Sequence, residues 1–376
     1  MLDARANIPS LQNVALATLQ EAVTFPQGSL EMMRCAGCSF VWNAAFDPSR
    51  ISYDETYNND ATSSAYYLAH LDSAADRMIN AVPEGADIHY VEIGCGEGDF
   101  LKLVHERSNG RVKTAIGFDP SFTGEDKLPK GAQVHRNFFT PEITDRIPPQ
   151  TNVVCSRHTI EHVADVQSFA KALAAAMAPG RTLYIETPDA DWILGHTAFQ
   201  DFFYEHCSIY TPTSIRNLLA QHGLDCDVTP VYDGQYMWIT ARLAQNTSRS
   251  SDPVVSDELG LDYIKKKQTL LAQWGAYITT QKAKAPVALW GGSSKGVTFS
   301  LLFNTADTPM IDCVIDLNVA KQDCFMPLTG TVIVSPETAK DRGIGTIIIM
   351  NPNYEAEIRQ QIDRMGWAVE ISVLNG

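Results

Sequence analysis

The sequence predicts an α/β protein with two Rossmann-like units, preceded by a small irregular N-terminal module. Short apolar runs alternate with helix-like stretches from residue 88 to 186, and the same alternation returns from residue 287 to 365. In each stretch the first apolar run leads into a glycine-rich turn, which is typical of a parallel sheet with helices on both faces. The length of 376 residues exceeds the ~250–300 residues that one hydrophobic core normally serves, which favours several domains.

The strands of both units are predicted from continuous apolar runs, because strands that are buried on both faces do not alternate. In the first unit we expect strands at Ile88–Ile93, Ala115–Phe118, Val153–Ser156 and Leu183–Glu186, and helices at Asp99–Ser108 and Val166–Met177. In the second unit we expect strands at Val287–Trp290, Met310–Ile315, Gly330–Val334 and Thr346–Met350, and helices at Lys295–Phe303 and Tyr354–Met365.

The domain boundaries follow from changes in pattern. Residues 1–62 form the N-terminal module, whose one helix-like stretch is Leu11–Ala22, and residues 63–244 form the first α/β unit, which opens with helix-like spacing over Ser63–Val82. Residues 245–284 combine a polar, proline-closed linker with a long helix predicted over Asp257–Ala283. Residues 285–376 form the second α/β unit.

Charge and composition narrow the class of partner. The formal net charge of −15 disfavours a nucleic-acid or anionic-membrane surface, because a polyanion partner requires clustered Lys and Arg. No apolar run approaches the ~18 residues that span a bilayer, and residues 1–10 show no signal-type stretch. We therefore expect a cytoplasmic protein with a small-molecule substrate. The eight cysteines mostly lie singly in apolar segments, as reduced thiols do, and the oligomeric state is left open.

The turn after the first strand of the first unit is the strongest motif. It reads E-x-G-x-G-x-G, from Glu92 through Gly94 and Gly96 to Gly98, whereas a dinucleotide fingerprint has its third glycine one position later. Glycines let a ligand approach the main-chain N–H groups at the start of a helix. The second strand ends at Asp119, whose carboxylate suits both ribose hydroxyls. Together these features resemble the class I methyltransferase signature and imply S-adenosylmethionine, with a nicotinamide cofactor as the alternative.

Two further residues at this edge are candidate contacts for the adenine of that cofactor. Asn137 and Phe138 lie between the strands expected at Ala115–Phe118 and Val153–Ser156, in the region after the third strand of this superfamily, which usually contacts the base. The aromatic pair of Phe138 and Phe139 is equally consistent with core packing.

The string His158-Thr-Ile-Glu161-His162 matches the H-x-x-E-H signature of inverted zinc proteases. It directly follows a predicted strand instead of lying in a long helix that would aim both histidines at one metal. We therefore expect no metal here. Arg157 or His158 is expected to line the cofactor pocket, with a solvated or capping role as the alternative.

The candidate base lies in the segment that follows the strand expected at Leu183–Glu186 and the loop after it. A carbon acceptor is a poor nucleophile and requires proton removal. His206, with an ordinary pKa near ~6.5, suits this task, and Glu205 or Tyr204 could orient it or stabilise an enolate. A polar helix start with a structural histidine is the alternative.

The order of a Cys-x-x-Cys module, a methyltransferase unit, an aromatic-x-Glu-His segment and a second glycine-loop unit resembles the sugar C-methyltransferase family. Its members methylate C3 of nucleotide-linked deoxy keto-sugars, and the resemblance covers nearly the whole chain. Gly291–Gly296, Asp316–Gln322 and Asn351–Ile358 resemble the family's C-terminal domain. The resemblance implies that His206 is the base, with Glu205 beside it.

The same resemblance implies a nucleotide-linked keto substrate, and we expect Tyr57, Lys295 and Asn318 to contact it. Gly291–Gly296 ends a strand and opens a helix, so its N–H groups and Lys295 suit an anion such as a diphosphate. A tight turn that serves packing alone is the alternative.

Two features depart from the family. Its members bind zinc with two Cys-x-x-Cys pairs, whereas this chain has only Cys35 and Cys38, so we expect no zinc or a site completed by other ligands. The tyrosine that usually lies three residues before the histidine is Phe203 here, with Tyr204 shifted by one, so substrate contacts should differ. An O- or N-methyltransferase of a secondary-metabolite pathway and a catalytically silent nucleotide-sugar-binding protein are the rival functions.

Overall fold

The computed structural model describes residues 1–51, 63–124, 128–245, 258–305 and 308–374. The described strands form sheets of seven, five, four and two strands. The predicted α/β class with two Rossmann-like units is confirmed by the two larger sheets, while the domain boundaries stay predictions. Within the described ranges, no helix is long and apolar enough to cross a lipid bilayer.

The N-terminal module is built on an antiparallel sheet, where irregular chain was expected. Its elements are β1 (Asp3–Pro9), α1 (Leu19–Val23), β2 (Gln27–Arg34) and β3 (Val41–Asn43). β1 pairs with β2 through a bulge between Arg5 and Ile8, and Asn7 has a φ of 56°. These irregularities interrupt the period of two that identifies a strand in sequence. The helix expected over Leu11–Ala22 is confined to α1.

The first α/β unit contains the seven-stranded sheet. Its elements are α2 (Ala65–Ala81), β4 (Ile88–Ile93), α3 (Asp99–Arg107), β5 (Val112–Phe118), β6 (Ala132–His135), β7 (Val153–Arg157), α4 (Val166–Ala175), β8 (Thr182–Pro188), α5 (Ala190–Gly195), β9 (Ser208–Ile209), α6 (Pro212–Gln221), β10 (Leu224–Val231) and β11 (Tyr236–Leu243). The strand order is β10-β11-β8-β7-β4-β5-β6, and β4 to β8 are parallel. Strand order reverses beside β4, which is where α/β sheets bind ligands. β9 joins β3 in the four-stranded sheet.

The second α/β unit contains the five-stranded sheet, with strand order β16-β15-β12-β17-β18 and all pairs parallel. Its elements are α7 (Glu258–Lys282), β12 (Val287–Trp290), α8 (Ser294–Phe303), β13 (Asn304–Thr305), β14 (Thr308–Pro309), β15 (Cys313–Ile315), β16 (Ile333–Val334), α9 (Pro336–Asp341), β17 (Thr346–Ile349), α10 (Glu355–Arg364) and β18 (Glu370–Val373). The sequence prediction missed β18, a partly exposed edge strand that lacks a continuous apolar run.

One hydrophobic core joins all three parts of the chain. Phe199 and Phe202, which lie between α5 and β9, are fully buried in it. Phe199 stacks on Phe299 of α8 with ring centroids 6.4 Å apart, and Phe202 contacts Tyr263 of α7 at 5.6 Å. The chain that leads to the candidate base therefore lies at the junction of the N-terminal module and both α/β units.

Candidate active site

The glycine-rich turn after β4 is packed on one side and open on the other. Gly94, Gly96 and Gly98 have φ values of 71°, 52° and 82°, in the left-handed region that favours glycine. A Cβ atom on Gly94 would lie 2.1 Å from Thr159 Oγ1, whereas a Cβ atom on Gly96 would meet nothing within 4 Å. The turn leads into α3 and so offers its backbone to a ligand at the carboxyl edge of the sheet.

Asp119 follows β5 and lies against the same turn. Its Oδ2 accepts a hydrogen bond from the Gly96 N–H at 2.9 Å, and its Oδ1 accepts from the N–H and hydroxyl of Ser121 at 2.9 and 2.7 Å. These donors fix the orientation of the carboxylate beside the open face of the turn. The structure thus brings together the glycines and the acid that the sequence paired.

Glu92 lies beneath the turn, with only 2% of its surface exposed. The hydroxyl of Tyr90 donates a hydrogen bond to Glu92 Oε2 at 3.0 Å. Burial raises the pKa of the Glu92 carboxyl to about 8, although Arg157 works against this shift. Near neutral pH the carboxyl is therefore largely protonated, and a cation bound above it would favour the ionised form.

Replacing Glu92 with glutamine should stabilise the protein increasingly as pH rises. A carboxyl whose pKa lies above its ordinary value binds its proton more tightly in the folded state, so folding loses stability as pH climbs from about 4.5 to about 8. Glutamine lacks this penalty, which is on the order of 5 kcal/mol above pH 8, and its amide oxygen can still accept from Tyr90. Thermal unfolding of the cofactor-free proteins at about pH 5.5 and about pH 8.5 measures the difference. The control is Glu106→Gln on the exposed face of α3, and an advantage that does not grow with pH would contradict the assignment.

The two aromatic residues after β6 have different environments. Phe139 is buried and packs edge-to-face on Phe118 with ring centroids 5.1 Å apart, so it belongs to the core. Phe138 is 76% exposed, and the Oδ1 of Asn137 accepts a hydrogen bond from Arg146 at 3.0 Å. Only Phe138 therefore offers a free aromatic face for stacking.

Arg157 and His158 both bind Glu186, at the carboxyl ends of the neighbouring strands β7 and β8. Arg157 Nε donates to Glu186 Oε2 at 2.9 Å, and its guanidinium lies 4.2 Å from the ring centroid of Phe100. The Arg157 side chain therefore lies in the protein interior, where its hydrogen bond holds the Glu186 carboxylate in place. His70 of α2 places its Nε2 2.6 Å from Glu186 Oε1.

His158 lies between two buried carboxylates. Its Nδ1 is 3.2 Å from Glu161 Oε1, and its Nε2 is 3.2 Å from Glu186 Oε1. Burial opposes protonation, but these two hydrogen bonds outweigh it and raise the pKa of His158 to about 10. The φ of 46° is uncommon for a histidine. The ring is therefore a fixed cation beside the candidate base.

His206 is partly exposed and lies in an aromatic setting. Its ring centroid is 3.9 Å from that of Phe203 and 4.8 Å from that of His162, which it meets edge-on. Burial, followed by the charges of His162, His158 and Lys295, lowers the pKa of His206 well below its ordinary value. The imidazole is therefore neutral at physiological pH and can accept a proton.

Tyr204 points into the N-terminal module, whereas the Glu205 carboxylate lies between that module and His162. Glu205 is 1% exposed, and its Oε1 accepts from the main-chain N–H of Gln12 at 3.2 Å, while its Oε2 lies 3.7 Å from His162 Nδ1. The Tyr204 hydroxyl accepts from the Asp47 N–H at 2.8 Å and donates to the Asp47 carbonyl at 3.2 Å. Because Tyr204 is fully buried with both hydrogen bonds in use, the structure gives it a supporting position and no direct access to an enolate.

The H-x-x-E-H string does not aim its two histidines at one point. Among the described residues, Glu161, His162 and His206 do bring possible metal-ligand atoms within 4.8 Å of one another. However, the two carboxylate oxygens of Glu161 already accept hydrogen bonds, Oε1 facing His158 at 3.2 Å and Oε2 accepting from Thr187 Oγ1 at 3.1 Å. We therefore interpret the group as a hydrogen-bonded network around a base.

The second glycine loop repeats the geometry of the first. The Gly292 N–H donates to Asp316 Oδ2 at 2.8 Å, as the Gly96 N–H does to Asp119. Lys321 is 1% exposed, and its Nζ donates to Ser293 Oγ at 3.0 Å. A buried lysine from the 3-10 turn after β15 therefore contacts the residue that precedes α8.

Two of the three predicted substrate contacts, Lys295 and Asn318, lie in described residues and have partners within the protein. Lys295 Nζ lies 2.6 Å from both carboxylate oxygens of Asp201, so this cation already has a partner. Asn318 Oδ1 accepts from the Ala320 N–H at 2.9 Å and caps a short 3-10 turn. Tyr57 lies outside the described residues.

Cys35 and Cys38 lie in the turn between β2 and β3, and both are partly exposed. Backbone N–H groups of Cys38 and Gly37 donate to the Cys35 sulfur and lower the pKa of that thiol. Such N–H contacts to a thiolate suit a metal ligand, but two thiols make half of a tetrahedral zinc set. The expectation about zinc stays a prediction.

Three contact residues were missed at the sequence level. Glu186 is the polar end of a predicted strand, so the rule that ligands lie at carboxyl ends would have singled it out. His162 was noted only as part of the H-x-x-E-H string. His70 has no local signal, because its partner Glu186 is 116 residues away in sequence.

Comparisons with known proteins find a family match for each of the two α/β units. Residues 67–228 match the family described as a methyltransferase domain, and residues 262–370 match the C-methyltransferase C-terminal domain. C-methyltransferase NovU of Streptomyces niveus is 22% identical over 330 residues, which cover 80% of this chain and 75% of that protein.

Among solved structures, the DhpI–SAH complex is 18% identical, with a TM-score of 0.34, and the match covers 50% of this chain and 92% of that one. An S-adenosylmethionine-dependent methyltransferase from Mesorhizobium loti is 17% identical, with a TM-score of 0.35, and the match covers 46% of this chain and 99% of that one. The two family matches lie on the two α/β units in the expected order. The chain therefore joins a methyltransferase domain to a C-methyltransferase C-terminal domain and is an S-adenosylmethionine-dependent methyltransferase.

Proposed function

We propose that this enzyme methylates a carbon atom next to a carbonyl group in a small, nucleotide-linked keto substrate, with His206 as the base. The observation that carries the proposal is a neutral, partly exposed imidazole at the edge of the sheet that also holds the glycine-rich turn. A carbon acceptor is a poor nucleophile and is the class of acceptor that most needs its proton removed by such a group.

The residues around the first glycine turn fit the cofactor. The proposed contacts are Glu92 beneath the turn, Gly94, Gly96 and Gly98 within it, Asp119 for the ribose, and Asn137 with Phe138 for the adenine. The fit is supported by the open space above Gly96 and by the 76% exposure of Phe138. When bound, S-adenosylmethionine supplies an electrophilic methyl group on a sulfonium centre.

His206 has the properties of the base. It accepts the proton from the carbon next to the carbonyl and becomes an imidazolium, and the electron pair left behind forms an enolate whose carbon takes the methyl group. Glu205, 3.7 Å from His162, fixes that neighbouring ring in turn. The cation at His158, held by Glu161 and Glu186, disfavours early protonation of His206 and so keeps the base available.

The nucleotide part of the substrate is assigned to the second glycine loop. Its support is the half-buried start of α8, where main-chain N–H groups favour an anion, together with the buried Lys321 beside Ser293. Lys295 is paired with Asp201, so a diphosphate that reached this loop would share or replace that carboxylate. Lys295, Asn318 and Tyr57 remain proposed substrate contacts.

Exchange of the acceptor's C–H proton with solvent tests the proposal directly. The wild-type enzyme should incorporate deuterium from D2O next to the carbonyl of a nucleotide-linked keto-deoxysugar in the presence of S-adenosylhomocysteine, which cannot donate a methyl group. Free keto-sugars serve as the control for the nucleotide requirement. Methylation of hydroxyl or amino acceptors without any such exchange would support the rival O- or N-methyltransferase instead.

A further inference from the structure

The segment that carries His206, residues 199–209, is held from one side by the N-terminal module. β9 at its end extends the sheet of that module, since Val41 pairs with Ile209 and Trp42 with Ser208. The Asn43 N–H also donates to the Cys207 carbonyl at 2.9 Å. The residue that follows His206 is therefore fixed by a strand more than 150 residues earlier in the chain.

Arg5 of β1 holds the beginning of the same segment. Its Nη2 donates to the Phe199 carbonyl at 3.3 Å and also to the Phe202 carbonyl. Asp3, whose side chain is fully buried, lies 3.4 Å from Arg5 and also pairs with Lys267 of α7. A guanidinium suits this position because its terminal nitrogen Nη2 carries two N–H donors in fixed directions and can serve both carbonyls.

The middle of the segment is held by two further contacts from the module. The Gln12 N–H binds the Glu205 carboxylate, and Asp47 binds the Tyr204 hydroxyl through both of its main-chain polar groups. The Tyr204 ring also lies where a side chain at position 28 would be, because a Cβ atom on Gly28 would come within 2.3 Å of it. Tyr204 is thereby turned into the module, Glu205 bridges the module and His162, and the His206 ring packs on His162.

We infer that the N-terminal module positions the base, with Arg5 as a positioning residue that sets the orientation of the His206 ring through the carbonyls of Phe199 and Phe202. The inference rests on the proposed function in so far as it treats His206 as the base. A base must lie within hydrogen-bond reach of the proton that it removes, and small displacements of reacting groups cost large factors in rate. The described part of the module would then serve catalysis by orienting the base, separately from the substrate contact proposed for Tyr57.

The variants can separate this role from general stability. Arg5→Gln removes the charged donors but leaves the Asp3–Lys267 pair in place, so no buried carboxylate loses all its partners. Arg5→Lys keeps a positive charge near Asp3, but its ammonium lacks the fixed, planar donor directions of the guanidinium whose Nη2 serves both carbonyls. Arg50→Gln is the matched control, because Arg50 donates to the Gln27 carbonyl at 2.8 Å within the module itself.

The readout is the ¹⁵N spectrum of the histidine rings in the full-length protein. The His206 signals are those that disappear in His206→Gln. The measurement needs no methyl acceptor. In folded Arg5→Gln the His206 ring signals should shift or split, while the affinity for S-adenosylhomocysteine, measured by calorimetry, changes by less than about twofold. Arg5→Lys should give an intermediate shift, and it serves as the test if Arg5→Gln does not fold. With an active acceptor, kcat should fall by about tenfold or more while KM for the cofactor is kept.

Unchanged His206 signals in the Arg5 variants, or equal shifts in Arg50→Gln, would overturn the inference. Failure of the proposed function gives a different pattern, in which His206→Gln itself retains turnover whatever the Arg5 variants do to the ring signals.

Discussion

Replacing His206 with alanine is expected to abolish methyl transfer and leave cofactor binding nearly intact. General base catalysis contributes on the order of 10²–10⁴-fold, and His206 is the imidazole assigned to removal of the proton next to the acceptor's carbonyl. None of the contacts of the glycine turn or of Asp119 involves His206. Product formation by mass spectrometry and calorimetry with S-adenosylhomocysteine measure the two effects separately.

The control for this experiment is His222→Ala, at the end of α6, whose ring contacts Gln167. It should retain both turnover and affinity. Deuterium incorporation offers a second reading, since His206→Ala should lose solvent exchange of the acceptor proton together with methylation. Full turnover in His206→Ala would remove the base assignment, and exchange that persists without methylation would move the base to another residue.

Replacing Asp119 with alanine is expected to weaken S-adenosylhomocysteine binding on the order of 100-fold. Hydrogen bonds to a charged group contribute about 1.5–3 kcal/mol each, and the carboxylate is assigned two ribose hydroxyls. The substitution also removes the acceptor of the Gly96 N–H and so loosens the turn itself. Calorimetry gives the affinity, and far-UV circular dichroism shows whether the fold is kept.

The chain offers a matched control in its second α/β unit. Asp316 accepts a hydrogen bond from the Gly292 N–H at 2.8 Å. As with Asp119 and Gly96, the acid follows one strand and binds the glycine loop that follows the neighbouring strand. Asp316→Ala should therefore loosen a comparable turn without changing the affinity for S-adenosylhomocysteine. The opposite result, with Asp316 essential and Asp119 dispensable, would place the cofactor in the second unit.

The cofactor turn could be predicted because its signal is local. Glycine spacing, a preceding apolar strand and an acid after the next strand lie within about thirty residues, and each reflects a backbone requirement that the structure shows as a positive φ or a hydrogen bond. The parallel strands were predicted for the same reason, since burial on both faces leaves an apolar run in the sequence.

The surroundings of the base could not be predicted, because they depend on contacts between distant segments. The direction of Tyr204 is set by Gly28 and Asp47, and the partner of Lys295 is Asp201, 94 residues earlier. His70 reaches Glu186 across 116 residues. Periodicity assigns a residue to an element, but it does not say which of two polar neighbours turns towards a distant surface.

The pairing of β3 with β9 has a consequence for the order in which the chain can fold during synthesis. Val41 meets a partner that leaves the ribosome roughly 170 residues later, after every parallel strand from β4 to β8. Until then the nascent N-terminal sheet has an exposed edge, which is a site for incorrect pairing. The surroundings of His206 are thus completed only after the glycine-rich turn of the first α/β unit has left the ribosome. Pairing between strands so far apart in sequence is slow.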